Sequence, residues 1–543
     1  MKADLIIHNA AIPAIFAAGD AIAIGAGRIL AVGSGEDLRI WIGPHTRSMD
    51  VQGATLMPGF VDSHVHLFGG GLALRQVNVA SVRDEAALTE TIRSFAAENP
   101  GTDLVQAYAA NYTILGDNRP TRHDLDRILP DRPFAITATD FHCVWANTCA
   151  LELAGILQGG DAGPGAEVVL GADGLASGEL REFAAMRLVL QMGRAGGRDQ
   201  LGLTGDEPGT VTAEQRDFDK ATLCLAMAHC ASLGITTAVN MDGNRYQVAL
   251  LRELDAEGRL PIRVSLPIVL TAVHGPKDVA KALMDGSEML RFNRIKMFMD
   301  GVFDTWTAFV TDAYPDRPGF AAHPLFAPEA FNAICIEADR LGLQIAVHAV
   351  GDGAVRCVLD GYQAALNANG RRDSRHRIEH IDTLHPEDLP RLAALGVIAS
   401  MQPVHPPGSA GLPLEPTISL MGRARWPLAF AWRAIRERGV PIAFGTDWPV
   451  SPLDPLYAIH CALTRQPWSG AIPDQRLTLE ECLLAYTSAG AAADFAEGQR
   501  GSLAVGMAAD LVVIDGCLDD LATQAPKASV RATICNGRVV YSA

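Results

Sequence analysis

Between residues 235 and 446 the chain keeps repeating one unit, a short apolar run followed by a stretch with helical spacing. The strand-like runs fall at 235–240, 262–270, 294–299, 344–348, 377–381, 397–402 and 442–446. Helical stretches are read at 328–341, 352–369, 386–395 and 426–438. The first of these starts with Pro328 and Glu329 and stops before Gly342, which are ordinary helix start and stop signals. Strands that run the same way need a helical crossover between them, so repeated units of this kind demand a parallel sheet. One more apolar run at 57–66 brings the strand count near eight. The economical closure is an α/β fold, a (β/α)8 TIM barrel.

The two ends of the chain read differently. Residues 4–8, 21–24 and 28–32 are short β runs with glycine turns, and 510–514, 530–535 and 538–541 match them in style. Asn536-Gly537 between apolar runs is a hairpin signal. We therefore expect a small β-sandwich domain built from 1–56 and 500–543, with the barrel over 57–499. A less regular span at about 70–215 reads as a long insertion after strand 1, expected to cover the active site.

With 543 residues, 48% of them hydrophobic and 20% charged, the chain reads as globular. Its net charge of −17 argues against nucleic acid or an anionic membrane surface as partner. Ten cysteines are scattered without a CxxC pair, so a zinc-finger site is not expected and a reduced, cytoplasmic setting is. The opening residues show no signal-peptide pattern, and no run is long enough to span a bilayer. A homo-oligomer is compatible with all of this.

In a TIM barrel the chemistry sits at the C-terminal strand ends. In Phe60-Val61-Asp62-Ser63-His64-Val65-His66 an apolar run closes on two histidines one residue apart. Residues i and i+2 of a strand share a face, so His64 and His66 can grip one ion. His348, His380 and Asp447 also end apolar runs. One such residue alone is more often structural than a ligand; their joint occurrence in barrel order points to a metal centre. Imidazole and carboxylate donors suit a borderline ion such as Zn2+. Lys296 lies inside an apolar strand, where a cation is costly. It is read either as an interior lysine paired to a carboxylate such as Asp300, or as a neutral amine that captures CO2. The carbamate formed by such N6-carboxylation is an oxygen ligand able to bridge two ions.

These motifs resemble the metal-dependent amidohydrolase superfamily, and more narrowly its YtcJ-like branch, amidohydrolase family 3, which includes N-substituted formamide deformylases. The resemblance is carried by residues 56–66, 295–301 with Thr307-Ala308, His348 with Gly351-Asp352, Ile378-Glu379-His380, 445–450 and the closing Gly501-Ser502-Leu503. It implies that His64, His66 and Asp447 hold one ion, while a carboxylated Lys296 bridges to a second held by His348 and His380. It also implies hydrolysis of an amide-type C–N bond, N-acyl or N-formyl, by a metal-bound hydroxide. Asp447 would shuttle the proton, and His380 or His348 would help hold the oxyanion if only one ion is bound. Thr446, Gly353 and Asp304 stand where relatives carry serine, arginine and glutamate.

Weaker candidates for contact with a small-molecule amide substrate are His142, Asp304, Trp306 and Trp448. His142 reads equally as a lid-to-barrel tie, and Asp304 equally as a helix N-cap. Glu379 precedes His380 on a strand and is expected to point away from the site; His376, His385 and His405 are read as surface or loop histidines. Two alternatives stand beside this reading: a deaminase or cyclic-amide hydrolase on the same scaffold, which Lys296 disfavours, and a non-catalytic binding relative, which the complete ligand set disfavours.

Overall fold

Eight parallel strands form the central sheet: β1 (Phe60–Val65), β2 (Ile235–Asn240), β3 (Arg263–Val269), β4 (Leu290–Phe298), β5 (Gln344–Ala349), β6 (Arg377–His380), β7 (Ile398–Met401) and β8 (Ile442–Phe444). They neighbour one another in chain order, as right-handed βα units require. The computed structural model describes residues 2–543 apart from 83, 117–118, 164, 271–274, 283–285 and 321. The first and last strands meet at the C-terminal mouth. There Asp447 N donates to His64 O at 2.6 Å, and His66 N donates to Trp448 O at 2.8 Å. Gly445 permits that approach: a Cβ at this position would lie 2.5 Å from the His64 backbone nitrogen.

Strands buried on both faces are nearly all apolar on the side that faces the helices. In β5 Ile345 and Val347 are fully buried in the main hydrophobic core, against helices such as Asp352–Asn369. The inner face is instead polar: Asp62 and His64, Arg294 and Lys296, Arg377 and Glu379 are all buried, each pair two residues apart on one strand. The period-2 rule thus stacks polar side chains in tiers down the barrel.

The helix Pro328–Arg340 has proline in its first turn, and Gly342 follows with φ 79°. Two expected helices are shorter than read. The one at 386–395 begins only at Leu389. The one at 426–438 splits into a 3-10 turn, Trp426–Leu428, and a helix, Trp432–Glu437. Phe430 takes φ 48° at the break, where the Arg465 guanidinium binds the carbonyls of Phe430 at 2.6 Å and Ala429 at 2.9 Å. A tertiary donor takes up carbonyls that a continuous helix would use internally.

Two four-stranded sheets come from the chain ends. One holds Leu5–His8, Ala21–Gly25, Arg28–Gly33 and Arg47–Asp50; the other holds Thr55–Pro58, Leu511–Asp515, Ser529–Cys535 and Arg538–Ser542. Leu5, Ile7, Ile22, Leu56, Leu511 and Ile534 share one core. Asn536 and Gly537 both have positive φ, as the tight hairpin between the last two strands needs. A buried ion pair, Arg263 Nε to Asp510 Oδ2 at 2.7 Å, joins this unit to β3. The segment after β1 carries its own six-stranded sheet, with Phe134–Ala138 and Cys143–Ala146 at its centre. Among the described residues no helix is long and apolar enough to cross a membrane.

Candidate metal centre and active site

Strand ends and one backbone reversal bring the candidate ligands together. His64 ends the inner row of β1, and its ring centroid lies 5.3 Å from that of His66 and 4.9 Å from that of His380. The His380 ring is in turn 4.5 Å from His348. Asp447 Oδ1 is 3.0 Å from His66 Nε2 and 3.3 Å from His64 Nε2, and its Oδ2 is 3.9 Å from His380 Nδ1. Single donor atoms of His64, His380 and Asp447 all fall within 4.8 Å of one another. His380 therefore stands between the His64–His66–Asp447 group and His348.

One ring nitrogen of each of three histidines is bonded to a residue outside this cluster. His64 Nδ1–H donates to Glu379 Oε2 at 2.8 Å, and His66 Nδ1–H donates to Asp242 Oδ1 at 3.1 Å. His380 Nδ1–H donates to Gln402 Oε1 at 2.9 Å. Partners of this kind fix the tautomer and leave the other nitrogen's lone pair free for a ligand. Glu379 is held by Arg377 at 2.8 and 2.9 Å, and Arg377 also binds Ser63 O and Ser400 Oγ, each at 2.7 Å.

The residues fit a metal ion. His64 Nε2 and Asp447 Oδ1 are buried atoms with no hydrogen-bond partner, and so is Lys296 Nζ. Tetrahedral ligands at about 2.0–2.1 Å from zinc stand roughly 3.3 Å apart. The 3.0 and 3.3 Å separations at Asp447 Oδ1 match that spacing.

Electrostatics follow from burial and these partners. Burial raises the Asp447 carboxyl, but His64 and His66 outweigh it and hold the group well below the usual carboxylate range. Burial disfavours charge on His66, yet Asp242 and Asp447 lift it to about 9. His348 and His380 are pushed well below the usual histidine value, chiefly by burial. Burial brings Lys296 down to about 8, with Glu379 and Asp447 opposing.

Several expectations need correction. Glu379 does not point away from the site; it supports His64 from below. Strand alternation fails at His380, which takes φ 77° with Ile381 at 52°, so consecutive residues both reach the centre. Asp300 is not paired with Lys296. Its oxygens accept from the backbone of Phe309, Val350 and Gly351 at 2.9–3.0 Å, while Lys296 Nζ lies 4.3 Å from the Phe298 ring centroid. His405 is no surface histidine: its ring stacks on His380 at 5.8 Å, and its Nε2 is 3.7 Å from Asp447 Oδ2. His376 is buried and bonded to Asp339 at 3.1 Å.

His142 faces the centre with its ring 5.5 Å from His348. It also ties the inserted segment down, since its Nδ1–H donates to Glu182 at 2.7 Å and Glu182 accepts from Thr307 on the barrel at 2.7 Å. Asp304 walls a cavity at the centre, but it lies within the 3-10 turn Phe303–Thr305 and accepts from Thr417 Oγ1 at 2.9 Å, so it is not a cap. Trp306 and Trp448 are not among the described walls of either cavity. Trp306 bonds Asp316 and is overlaid by Arg119, Arg181 and Arg317; Trp448 packs on His229 and Gly70. Asp242 escaped the sequence reading although it sits just past the run at 235–240, the strand-end position that marked the other residues.

Residues 47–541 match the model of the amidohydrolase family. Among curated proteins the chain is 29% identical to protein LONG AFTER FAR-RED 3 of Arabidopsis thaliana, covering 99% of this chain and 92% of the relative. It is 28% identical to the putative amidohydrolase YtcJ of Bacillus subtilis, covering 92% and 91%. It is 26% identical to the N-substituted formamide deformylase of Arthrobacter pascens, covering 96% and 95%. Among solved structures an uncharacterized metal-dependent hydrolase of Pyrococcus furiosus superposes with a TM-score of 0.70 at 24% identity, over 95% of this chain and 99% of that one. The strand order, the strand-end cluster and the family match agree: this chain belongs to the amidohydrolase family.

Proposed function

We propose that the protein is a metal-dependent hydrolase of an amide-type C–N bond in an N-acyl or N-formyl compound. The observation that carries this reading is the set of buried donor atoms at the barrel mouth that lack partners: His64 Nε2, Asp447 Oδ1 and Lys296 Nζ. His64, His66, His348, His380 and Asp447 would hold one or two ions, zinc being the best match to N and O donors at this spacing. A carboxylated Lys296 would add an oxygen ligand. The lack of a counter-ion at its amine supports that modification, since a buried lone ammonium is disfavoured. When bound, the ion supplies Lewis acidity and brings the pKa of a water toward neutrality.

The chain's own groups do the rest. Asp447, ionised across the neutral range, takes a proton from the attacking water and delivers it to the departing nitrogen. Burial brings His405 down to about 4, so it stays neutral and can hydrogen-bond beside Asp447. Arg377 and Glu379 hold the His64 ring in place. The deformylase named among the relatives acts on the same bond type, which supports the substrate class.

The test is a panel of N-acyl, N-formyl and cyclic amides offered to zinc-loaded protein. Hydrolysis that disappears with a chelator and returns with zinc is expected. Full activity in chelated protein, or turnover of none of the amides, contradicts the reading.

A further inference from the structure

Two cavities open onto the centre. The larger, about 290 Å3, has Phe95, Phe141, Phe183 and Phe218 among its walls. The smaller, about 140 Å3, runs past Tyr112, Phe303, Leu412 and Phe430. Asp140, His142, His348, His380 and Asp447 wall both. A carbonyl carbon beside Asp447 therefore has room for a substituent in each cavity. A formamide bears only hydrogen on its acyl side and would leave one cavity without an apolar guest.

The two spaces also differ in charge. Arg75 and Arg194 line the larger cavity, and both guanidinium groups lie over the Phe218 ring, 5.3 and 4.6 Å from its centroid. Among the described residues neither has a carboxylate partner, in a chain with 62 acidic residues against 45 basic ones. Of the carboxylates facing the same cavity, Asp447 belongs to the centre and the other three are engaged elsewhere: Asp140 accepts from Tyr112 at 2.9 Å, Asp199 accepts from Gln200 at 2.8 Å, and Asp242 accepts from His66 at 3.1 Å and Gln247 at 2.9 Å. Two free guanidinium groups beside an aromatic ring suit a carboxylate on an apolar arm.

We propose that the substrate is an amide substituted on both sides of its C–N bond, with a longer apolar arm that ends in a carboxylate held by Arg75 and Arg194. This rests on the amide-hydrolase reading above. In the reaction water gives its hydroxyl to the acyl carbon and a proton to the leaving nitrogen, so one arm leaves as a carboxylic acid and the other as an amine.

The test runs the amide in both directions. One series holds N-butanoyl and N-formyl derivatives of ω-amino acids of five to eight carbons; the other holds N-butyl and unsubstituted monoamides of dicarboxylic acids of similar length. Each compound is compared with its methyl ester by kcat/KM. In at least one series the free acid should exceed its ester by about tenfold or more, as a charge-assisted Arg–carboxylate contact implies. In the same series the butanoyl or butyl compound should exceed its truncated counterpart by about tenfold, from burial of its methylenes. The Arg75→Met/Arg194→Met double variant should lose the preference for acid over ester, its ratio of the two kcat/KM values falling toward one; a ratio that stays at about tenfold overturns the assignment of the carboxylate to these two residues. Leu412→Trp should narrow the smaller cavity and remove the preference for the longer substituent. Hydrolysis that ignores both the carboxylate and the second substituent overturns this inference and leaves the amide-hydrolase reading standing. If no amide in either series is cut, that reading fails and this inference falls with it.

Discussion

The floor and the mouth of the barrel are both buried and both polar, yet they are built on opposite terms. At the floor Asp494 uses both oxygens. Oδ1 takes Arg294 at 3.0 Å and Ser265 at 2.7 Å, while Oδ2 takes Arg500 at 2.6 Å. Arg294 also donates to Gln344 at 2.6 Å. Two residues further along β4, Lys296 has no partner, and neither do His64 Nε2 and Asp447 Oδ1 above it. A buried polar group costs stability unless it is bonded, so the floor reads as structure and the mouth as a site kept open for a ligand.

That contrast can be broken by substitution. The largest effect is expected from Asp447→Asn, which removes the proton acceptor; kcat should fall by about 10²–10⁴-fold while much of the metal is retained. An unchanged kcat rejects the proton-transfer role. Next comes a pair of variants on one strand. Arg294→Met takes one guanidinium from Asp494, which keeps Ser265 and Arg500, and should cost about 1.5–3 kcal/mol in urea unfolding, the usual worth of a hydrogen bond to a charged group. Lys296→Met, measured in metal-free protein, should be neutral or stabilising by about 1–3 kcal/mol because it removes an unbonded buried amine. In protein exposed to zinc the same variant should bind less metal. Equal destabilisation by the two variants would erase the distinction between floor and mouth.

A smaller change is expected from Glu379→Gln, which weakens the hold on His64. Metal affinity should drop by about 10–100-fold, as for other partners of ligating histidines, and direct zinc titration reads it. Last is a pH effect. Burial and Asp140 raise the Asp304 carboxyl to about 7. Between the unfolded value near about 4 and this folded value, the native chain holds the extra proton. Asp304 therefore contributes a stability that is full below about pH 4 and is lost as pH rises toward about 7. Unfolding of Asp304→Asn across that range should lack this slope; an unchanged slope assigns it to another group.

The barrel was legible because two signals agree, apolar runs of strand length and helical spacing between them. The candidate ligands were legible because each ends such a run. What escaped depends on backbone geometry or on contacts between distant segments. Glu379 looked outward because strict alternation was assumed, and only the positive φ of His380 brings both residues inward. His405 lies beyond β7 on a loop, where no periodicity says which way a side chain turns. The break at Phe430 needs Arg465, 35 residues away. Lys296 was recognised as unusual from its apolar neighbours, but whether Asp300 would reach it could be read only from the three backbone N–H groups that occupy that carboxylate.

The central claim is that the unbonded donors at the barrel mouth hold a metal ion, and anomalous scattering at the zinc edge from zinc-soaked crystals tests it most directly. The account predicts a strong peak about 2.0–2.2 Å from His64 Nε2, His66 Nε2 and an Asp447 oxygen. Crystals that show no anomalous density there, with Lys296 turned to pair directly with Asp447 or Glu379, would contradict it.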